Sequence, residues 1–347
     1  MSNPLERDLD EILSHSADLW EPLRGRSIFV TGGTGFVGTW MMELMAWADA
    51  KLDLRVHAVL LTRDPDAFRK KSPQVAERVD LLKGDCEERD LPTGEFAYVI
   101  HAATETQRPL EHHQPATAFE KDLRVTKRIL EFARSSGAKR FLFTSSGAVY
   151  GTQPNDLNAI PEDYLGAPSP MDGATSYGQA KRASEFLCAM YARQCGFDAL
   201  IARLFAFVGP HLPLEGYAVG NFMRDVLREK MIRIESDGTT VRSYLYASDM
   251  ALWLWTILLR GESLRPYNVG SPEALSVREL AERVASVGQS RAGVEVLGRR
   301  GVPATRYVPS TERAEKELGL SRRVSLDEGL KRSLEWHRAN GLPVQQH

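Results

Sequence analysis

Scarcity of cysteine and of long apolar runs limits the classes to which this 347-residue chain can belong. Its three cysteines, Cys86, Cys188 and Cys195, form no Cys-x-x-Cys pair, which indicates buried thiols in a reducing cytosol. The longest apolar run, 250–259, is too short to cross a bilayer. Residues 1–26 are charged and lack the apolar core of a secretion signal. We therefore expect a cytoplasmic protein with no membrane partner.

The chain also lacks an excess of charge of either sign. Its 44 Lys and Arg residues and 46 Asp and Glu residues are interspersed and give a net charge of −2. Electrostatics therefore offers no case for a nucleic-acid partner. An anionic substrate would need a local basic pocket, for which Arg242 and Arg306 are candidates. The segment Glu111-His112-His113 has no further ligand nearby, so we predict a solvated loop and no metal site.

Strand and helix patterns alternate along the first two thirds of the chain. The predicted strands lie near 27–31, 55–61, 79–83, 97–101, 140–144 and 198–204, with helices between them. Such alternation predicts an α/β fold with a parallel sheet covered on both faces. Ligands bind beyond the carboxyl ends of the strands in such sheets, and Gly32, His101 and Ser146 fall at these ends.

Other segments differ in pattern from this alternation. Residues 5–20 repeat leucine and isoleucine at helical spacing and predict an arm used for packing or for oligomer contacts. Residues 151–175 are rich in Pro, Asn, Asp and Gly, and we interpret this long loop as part of the substrate rim. Shorter elements follow residue 209, and they predict a smaller lobe: helices at 217–231, 249–260, 276–288 and 311–340, and a strand at 240–246.

The segment Thr31-Gly32-Gly33-Thr34-Gly35-Phe36-Val37-Gly38 joins the first strand to a helix expected over 41–50. Glycines permit a tight turn here and let a pyrophosphate approach the helix N-terminus, where free N–H groups favour anions. An ordinary glycine-rich turn is the alternative, but its position after the first strand of an α/β pattern disfavours it. We predict that a dinucleotide contacts Gly32, Gly35, Phe36, Val37 and Gly38.

A second motif, Tyr177-Gly-Gln-Ala-Lys181, lies in a proline-free helical stretch, so its tyrosine and lysine share one face. An ammonium beside a phenol favours the phenolate and lowers the pKa of the tyrosine. Ser146, just after a predicted strand, could hydrogen-bond the substrate oxygen. A solvated helix face is the alternative, and the glycine turn together with the serine segment at 145–151 argues against it. We predict Ser146, Tyr177 and Lys181 as catalytic residues, with the last two also contacting the cofactor.

These motifs resemble the extended short-chain dehydrogenase/reductase family of nucleotide-sugar epimerases, dehydratases and ketoreductases, over roughly residues 25–340. The resemblance extends to further segments, at 82–85, 99–103, 203–210, 221–222, 242–246, 267–270 and 318–320. It implies a Rossmann-like doubly wound parallel sheet with a smaller C-terminal substrate-binding lobe. The expected division is an N-terminal helical arm at 1–24, a dinucleotide-binding domain at 25–208 and a mainly substrate-binding lobe at 209–347, from which 240–270 could return to the first domain.

The resemblance also implies binding roles for individual residues. Further expected cofactor contacts are Asp85, which resembles the aspartate that meets the adenine, Cys86, Ala102, Ala103 and Thr104. Expected substrate contacts are Ser146, Gly147, Asn221, Arg242 and Arg306. In the family, the helices corresponding to 115–135 and 177–195 pack against the same pair of a second subunit. We therefore expect a homodimer, although packing within one chain explains their apolar spacing almost as well.

Departures from the family pattern narrow the expected reaction. Gly147 and Ala148 stand where family dehydratases and decarboxylases carry an acid after the catalytic serine or threonine, which disfavours elimination. Ala206 replaces the family's asparagine. We predict hydride transfer at a secondary alcohol or ketone, at C4 of a nucleotide-diphosphate sugar, by an epimerase or a ketoreductase. A 4,6-dehydratase or decarboxylase is the alternative, and a non-catalytic dinucleotide sensor or structural module is a rival of another class.

The end of the second strand bears on the choice of nicotinamide cofactor. NAD-binding folds usually carry an acid there for the ribose 2′-hydroxyl, whereas an arginine accommodates a 2′-phosphate. This chain has Thr62-Arg63-Asp64, so Arg63 favours NADP over NAD. Two alternatives stay open: Arg63 could stack on the adenine of NAD, and Asp64 could cap the turn before Pro65.

Overall fold

The computed structural model describes residues 3–88, 90–104, 114–298 and 304–341. The segment 111–113, considered above for a metal, lies outside the described residues. The described strands are β1 Ser27–Thr31, β2 His57–Thr62, β3 Asp80–Lys83, β4 Tyr98–His101, β5 Arg140–Ser146, β6 Asp198–Leu204, β7 Phe207–Val208, β8 Ile232–Ile234, β9 Val241–Arg242, β10 Leu245–Tyr246, β11 Pro266–Val269, β12 Leu275–Ser276, β13 Val294–Val296 and β14 Arg306–Tyr307. The described α-helices are α1 Glu6–Ser14, α2 Phe36–Leu52, α3 Pro65–Lys71, α4 Pro73–Ala76, α5 Pro115–Ser135, α6 Ser176–Cys195, α7 Ala218–Leu227, α8 Ala247–Arg260, α9 Val277–Val287, α10 Glu312–Leu318 and α11 Leu326–Asn340.

A seven-stranded sheet organises the larger part of the molecule. Its strand order is β11-β6-β5-β4-β1-β2-β3, and every neighbouring pair is parallel. The direction of winding reverses between β1 and β4, which opens a crevice at their carboxyl ends. The six predicted strands are all present, and the predicted doubly wound Rossmann-like sheet is confirmed.

Helices cover both faces of this sheet because its strands are apolar on both sides. Helices α2 and α8 pack on one face, where Trp20 of the N-terminal segment contacts Trp255 with ring centroids 5.5 Å apart. Helices α5 and α6 contact each other and cover the other face. Strand β11 is part of the large sheet, and α8 packs in the apolar core on one face of that sheet, so much of 240–270 packs with the sheet.

A second apolar cluster forms the smaller lobe. It is built from α7, α9 and α11, with short strands along its edges. The predicted strand at 240–246 is wrong as one element, since β9 and β10 pair with different sheets. The helical stretch predicted at 311–340 is two helices, because Gly319 adopts a left-handed conformation that ends α10.

The N-terminal helix is shorter than the 5–20 stretch predicted for it, and it packs within the chain. Helix α1 ends at Ser14. The Ser16 hydroxyl donates a hydrogen bond to the Ile12 carbonyl at 2.9 Å, and 3₁₀ turns follow. Asp8 accepts a hydrogen bond from Tyr246 at 2.8 Å and pairs with Arg332 of α11. Burial raises the pKa of Asp8. The arm therefore joins the lobe to the large sheet. Among the described helices, none has the length and apolarity needed for a membrane crossing.

Candidate active site

One cavity of about 1100 Å³ opens at the carboxyl ends of the central strands. It brings the glycine turn of β1 and α2 together with the serine segment and with the tyrosine and lysine of α6. The lining residues that the sequence predicted are Gly32, Gly35, Phe36, Val37, Gly38, Arg63, Asp85, Cys86, Ala102, Ala103, Thr104, Ser146, Tyr177, Lys181 and Arg242. Segments far apart in sequence thus meet at the crevice expected for a doubly wound sheet.

The glycine turn leaves no room for side chains at two positions. Gly32 has φ +73°, and a Cβ there would lie 2.4 Å from the Ala102 carbonyl carbon. A Cβ on Gly38 would lie 2.2 Å from the Gly32 oxygen. Helix α2 begins at Phe36 with no side chain capping its N-terminus, so its first N–H groups face the cavity. This arrangement fits the pyrophosphate of a dinucleotide.

One end of the cavity, where the sequence predicts the adenosine of a dinucleotide, lies beyond β2 and β3. Arg63, Asp85 and Cys86 line it, and burial raises the pKa of the Cys86 thiol to about 11. Asp64 accepts a hydrogen bond from the Ala67 N–H at 3.0 Å, which confirms the capping alternative for this residue. The ammonium of Lys71 donates to the Thr34 carbonyl at 3.0 Å and supports the glycine turn from below.

The proposed catalytic residues come from the end of β5 and the first two turns of α6. Strand β5 runs to Ser146, two residues further than predicted, because it continues to pair with β6 as far as Leu204. Lys181 is buried, donates to the Thr144 carbonyl at 3.0 Å, and its Nζ lies 5.8 Å from the centre of the Tyr177 ring. Ser146, Tyr177 and Lys181 therefore share one cavity with the glycine turn.

Tyr307 is a residue of the site that the sequence analysis missed. Its hydroxyl lies 3.4 Å from Ser146 Oγ and donates to the Leu204 carbonyl at 3.3 Å. Burial raises the pKa of Tyr307 to about 12, so the phenol is protonated. No motif surrounds this residue, so nothing in the sequence signalled its position. Other polar lining residues that were missed include Lys121, Asp122 and Tyr217.

Three residues predicted to bind substrate do not line the cavity. A Cβ on Gly147 would lie 2.6 Å from Phe205 Cζ and 2.7 Å from the Tyr307 hydroxyl, so these two rings fill the space beside it. Arg306 donates to the Asn158 carbonyl at 2.9 Å. It precedes Tyr307 in β14, and successive side chains of a strand point to opposite faces. Asn221 lies in the second turn of α7 and accepts from Arg224 at 3.4 Å.

The long loop at 151–175, interpreted from the sequence as part of the substrate rim, contributes no residue to this cavity. It packs instead on the outer side of α6, where Arg182 donates to the Gly166 carbonyl at 3.0 Å. Asn158 and Ile160 of this loop contact the segment around β14. The loop thus packs against the side of β14 that faces away from the cavity and supports the segment that carries Tyr307.

His101 lies beneath the cavity rather than in its lining. Its ring nitrogens contact Thr31 Oγ1 at 2.7 Å and Thr126 Oγ1 at 3.3 Å. Burial, with a smaller contribution from the charge of Lys181, lowers the pKa of His101 to about 3. The ring is therefore neutral and structural. Within the described ranges, no group of three or more His, Cys, Asp or Glu side chains could hold a metal ion.

Known proteins resemble this chain in sequence and in fold. The pattern of the NAD dependent epimerase/dehydratase family matches residues 28–270. UDP-glucuronic acid decarboxylase 5 of Arabidopsis thaliana is 29% identical over 304 residues, which cover 87% of this chain and 86% of the relative.

Two solved structures have the same fold. The UDP-glucose 4-epimerase of Thermotoga maritima superposes with a TM-score of 0.76 at 23% identity and covers 90% of this chain and 99% of its own. The UDP-glucuronic acid 4-epimerase of Bacillus cereus, in complex with UDP-glucuronic acid and NAD, has a TM-score of 0.74 at 22% identity, with 91% and 100% covered. Because the family pattern spans more than half of the chain, the resemblance inferred from the motifs is confirmed, and this protein belongs to the NAD dependent epimerase/dehydratase family of enzymes, within the extended short-chain dehydrogenases/reductases.

Proposed function

We propose that this protein transfers hydride at a secondary alcohol or ketone, at C4, of a nucleotide-diphosphate sugar. The observation that carries the proposal is the single cavity lined both by the glycine turn and by Ser146, Tyr177 and Lys181. Tyr177 exchanges the hydroxyl proton, Ser146 polarises the same oxygen, and Lys181 favours the phenolate. The nicotinamide, when bound, supplies or accepts the hydride.

The part of the cavity beyond β6 supports a sugar nucleotide as the substrate. Its walls are mostly apolar and aromatic, and Arg242 is the single charged side chain among the described lining residues from 204 to 307. One arginine suits a diphosphate, whose oxygens it contacts through its forked N–H groups. We assign the dinucleotide to residues 25–208 and the substrate mainly to residues 209–347.

Decarboxylation of a nucleotide uronic acid is a second candidate, because the Arabidopsis relative is a UDP-glucuronic acid decarboxylase. Two observations favour simple hydride transfer instead. Gly147 and Ala148 offer no carboxylate beside Ser146, and the space next to Gly147 holds Phe205 and Tyr307. Among the described residues of the substrate part, no second cation accompanies Arg242 to hold a sugar carboxylate. The same lack of an acid disfavours a 4,6-dehydratase.

Purified protein incubated with a panel of sugar nucleotides tests the proposal. Steady loss of NADPH absorbance with a 4-keto sugar nucleotide supports a reductase. Formation of a sugar isomer without a change in absorbance supports an epimerase. Carbon dioxide release from UDP-glucuronic acid would identify a decarboxylase. Dinucleotide binding without turnover of any sugar nucleotide would contradict the proposal and favour the non-catalytic sensor.

We further propose NADP rather than NAD as the preferred cofactor. Arg63 lines the cavity just after β2, while the neighbouring Asp64 is engaged in capping α3. A cation without a competing acid at this position suits a 2′-phosphate. The test compares the dissociation constants of NADPH and NADH for the wild type and for Arg63→Ala. Selective weakening of NADPH binding is the expected result, and equal weakening of both would indicate stacking on adenine.

We propose that α5 and α6 form a homodimer interface. Phe186 is 63% exposed on α6, and the half-buried Leu187 and Met190 lie near it on the same helix. Light scattering after gel filtration should report a dimer for the wild type and a monomer for Phe186→Glu. The control is Met231→Glu, which changes an exposed apolar residue elsewhere.

We also propose a cytoplasmic location. Cys188 is buried, Cys86 and Cys195 are half-buried, and all three are free thiols, as expected in a reducing compartment. Cell fractionation with antibody detection tests this, and recovery in a membrane or secreted fraction would contradict it.

A further inference from the structure

The carboxylate of Glu185 lies directly behind the serine segment of the site. Its Oε1 accepts a hydrogen bond from Ser145 Oγ at 2.6 Å. The same carboxylate pairs with Arg203, whose Nε and Nη2 donate at 2.9 and 2.7 Å. The side chains of Glu185 and Arg203 are each 13% exposed, so this is a largely buried ion pair that also bonds to a neighbour of Ser146.

The position of Glu185 on α6 continues the spacing of the motif. Tyr177, Lys181 and Glu185 are four residues apart and therefore lie on one face of the helix. Lys181 bonds to the backbone of Thr144, and Glu185 bonds to the side chain of Ser145. Two consecutive residues at the end of β5 are thus held by two consecutive turns of the helix that carries Tyr177.

Arg203 fixes Glu185 from the neighbouring strand. It is directly opposite Ser145 in the pairing of β5 with β6. Its Nη1 donates to the Tyr150 hydroxyl at 2.9 Å and to the Glu162 carbonyl at 3.0 Å. The planar guanidinium therefore has partners on both sides, and Glu185 cannot move without breaking bonds in a low-dielectric environment.

We infer that Glu185 is a positioning residue that, by holding Ser145, sets the distance between Ser146 and Tyr177. The inference rests on the proposed function, because Ser146 and Tyr177 act on the same substrate oxygen there. A hydroxyl-to-carboxylate bond is charge-assisted and short, which makes it a stiff connection. Displacement of a catalytic group by about 1 Å can cost on the order of 100-fold in rate.

Ser145→Ala tests the inference, because it removes the connection to the strand and leaves the Glu185–Arg203 pair intact. We expect kcat to fall roughly tenfold, with unchanged KM for the sugar nucleotide and unchanged Kd for the dinucleotide. The control is Ser184→Ala, the same chemical change on the same helix, which removes a buried bond to Thr126 at 3.2 Å. Its kcat should stay within about twofold of the wild type.

Glu185→Gln provides an independent variant, since its amide oxygen can still accept from Ser145. Its kcat should exceed that of Ser145→Ala, and the double variant should lose no more activity than Ser145→Ala alone, as expected for residues that act through one bond. Thermal unfolding of each variant separates stability from rate, because a purely structural role would lower the melting temperature without a selective loss of kcat.

Different results identify which proposal fails. An active wild type in which Ser145→Ala and Ser184→Ala have equal kcat would overturn the positioning role of Glu185 while leaving the proposed function intact. A rise in KM at constant kcat in Ser145→Ala would also overturn it. A wild type that binds dinucleotide but converts no sugar nucleotide would overturn the proposed function itself.

Discussion

The two halves of the cavity are built in different ways. The half that we propose for the dinucleotide, the cofactor half, depends on eight consecutive residues, 31–38, joined by the ends of neighbouring strands. The half that we propose for the sugar nucleotide, the substrate half, is gathered from separate segments at 204–219, 240–244, 277 and 307. Binding in the first half requires exposed backbone N–H groups and positions without side chains, and the spacing of glycines in the sequence predicts both. In the second half the requirement is for side chains that only packing brings together.

The difference also appears in what closes each half. A side chain at Gly32 or Gly38 would collide with backbone atoms, which cannot move aside. A side chain at Gly147 would collide with the Phe205 and Tyr307 rings, which belong to separate segments. The cofactor half is therefore intolerant of substitution by construction, whereas the substrate half can be reshaped by paired substitutions.

Tyr177→Phe, at the boundary of the two halves, should have the largest effect. Loss of the acid/base is expected to reduce kcat by about two to four orders of magnitude, while the dinucleotide Kd changes little. Steady-state kinetics and fluorescence titration measure the two quantities. Tyr191→Phe is the control, because Tyr191 lies on the same helix and its hydroxyl donates to the partly exposed Glu131. Unchanged turnover in Tyr177→Phe with cofactor still bound would refute the catalytic assignment.

Gly38→Ala tests the rigidity of the cofactor half. The added methyl would lie 2.2 Å from the Gly32 oxygen, and overpacking of this kind costs about 1–3 kcal/mol. Dinucleotide binding should weaken by roughly ten- to a hundredfold, or the melting temperature should fall. Gly173→Ala is the matched control, since a Cβ there meets nothing closer than 3.7 Å. Normal dinucleotide binding and a normal melting temperature in Gly38→Ala would mean that the backbone of the glycine turn can move to accommodate the added methyl group.

Gly147→Ala makes the corresponding change in the substrate half. The methyl presses on Phe205 and Tyr307, so KM for the sugar nucleotide should rise about tenfold while dinucleotide Kd is unchanged. Adding Phe205→Leu removes the nearer ring and should restore part of the affinity. A loss of cofactor binding in Gly147→Ala would show that the two halves are not independent.

A change of one pH unit gives the smallest expected effect, and the dependence of stability on pH probes the support beneath the cofactor half. The folded-state pKa of His101 is lowered to about 3, whereas an unfolded histidine titrates near 6.5. Below about pH 6.5 His101 therefore binds a proton in the unfolded chain but not in the folded chain. The free energy of unfolding falls as the pH falls, by about 1 kcal/mol per pH unit.

Denaturant unfolding between pH 7 and pH 4 measures this slope. His101→Asn should reduce this slope by about 1 kcal/mol per pH unit, whatever its effect on stability at pH 7, because one of the titrating groups is gone. Replacement of the exposed His15 by Asn serves as the control. An unchanged slope in His101→Asn would assign the acid sensitivity to other buried histidines, such as His211 and His337, whose pKa values burial lowers to about 3 and about 4.

Long periodic elements were predictable, and short ones were not. Six of the seven strands of the large sheet and the helices at 115–135 and 177–195 appear close to their predicted bounds, because most of them bury an apolar pattern several residues long. The two-residue strands β9, β10 and β14 carry too few residues to show which face is buried. The charge of Arg306 therefore predicts a substrate contact that the lining does not include, while its neighbour Tyr307 faces the cavity.

By itself, the sequence determined the family, the parallel sheet and the glycine turn, because strand periodicity and backbone sterics act over a few adjacent residues. Only the tertiary structure decided that Tyr307 meets Ser146, that Gly147 is covered by two rings, and that Glu185 supports the serine segment through Ser145. Each of those contacts joins residues that are 40 or more positions apart in the sequence. The side-chain chemistry at one position does not indicate which distant residue it will contact.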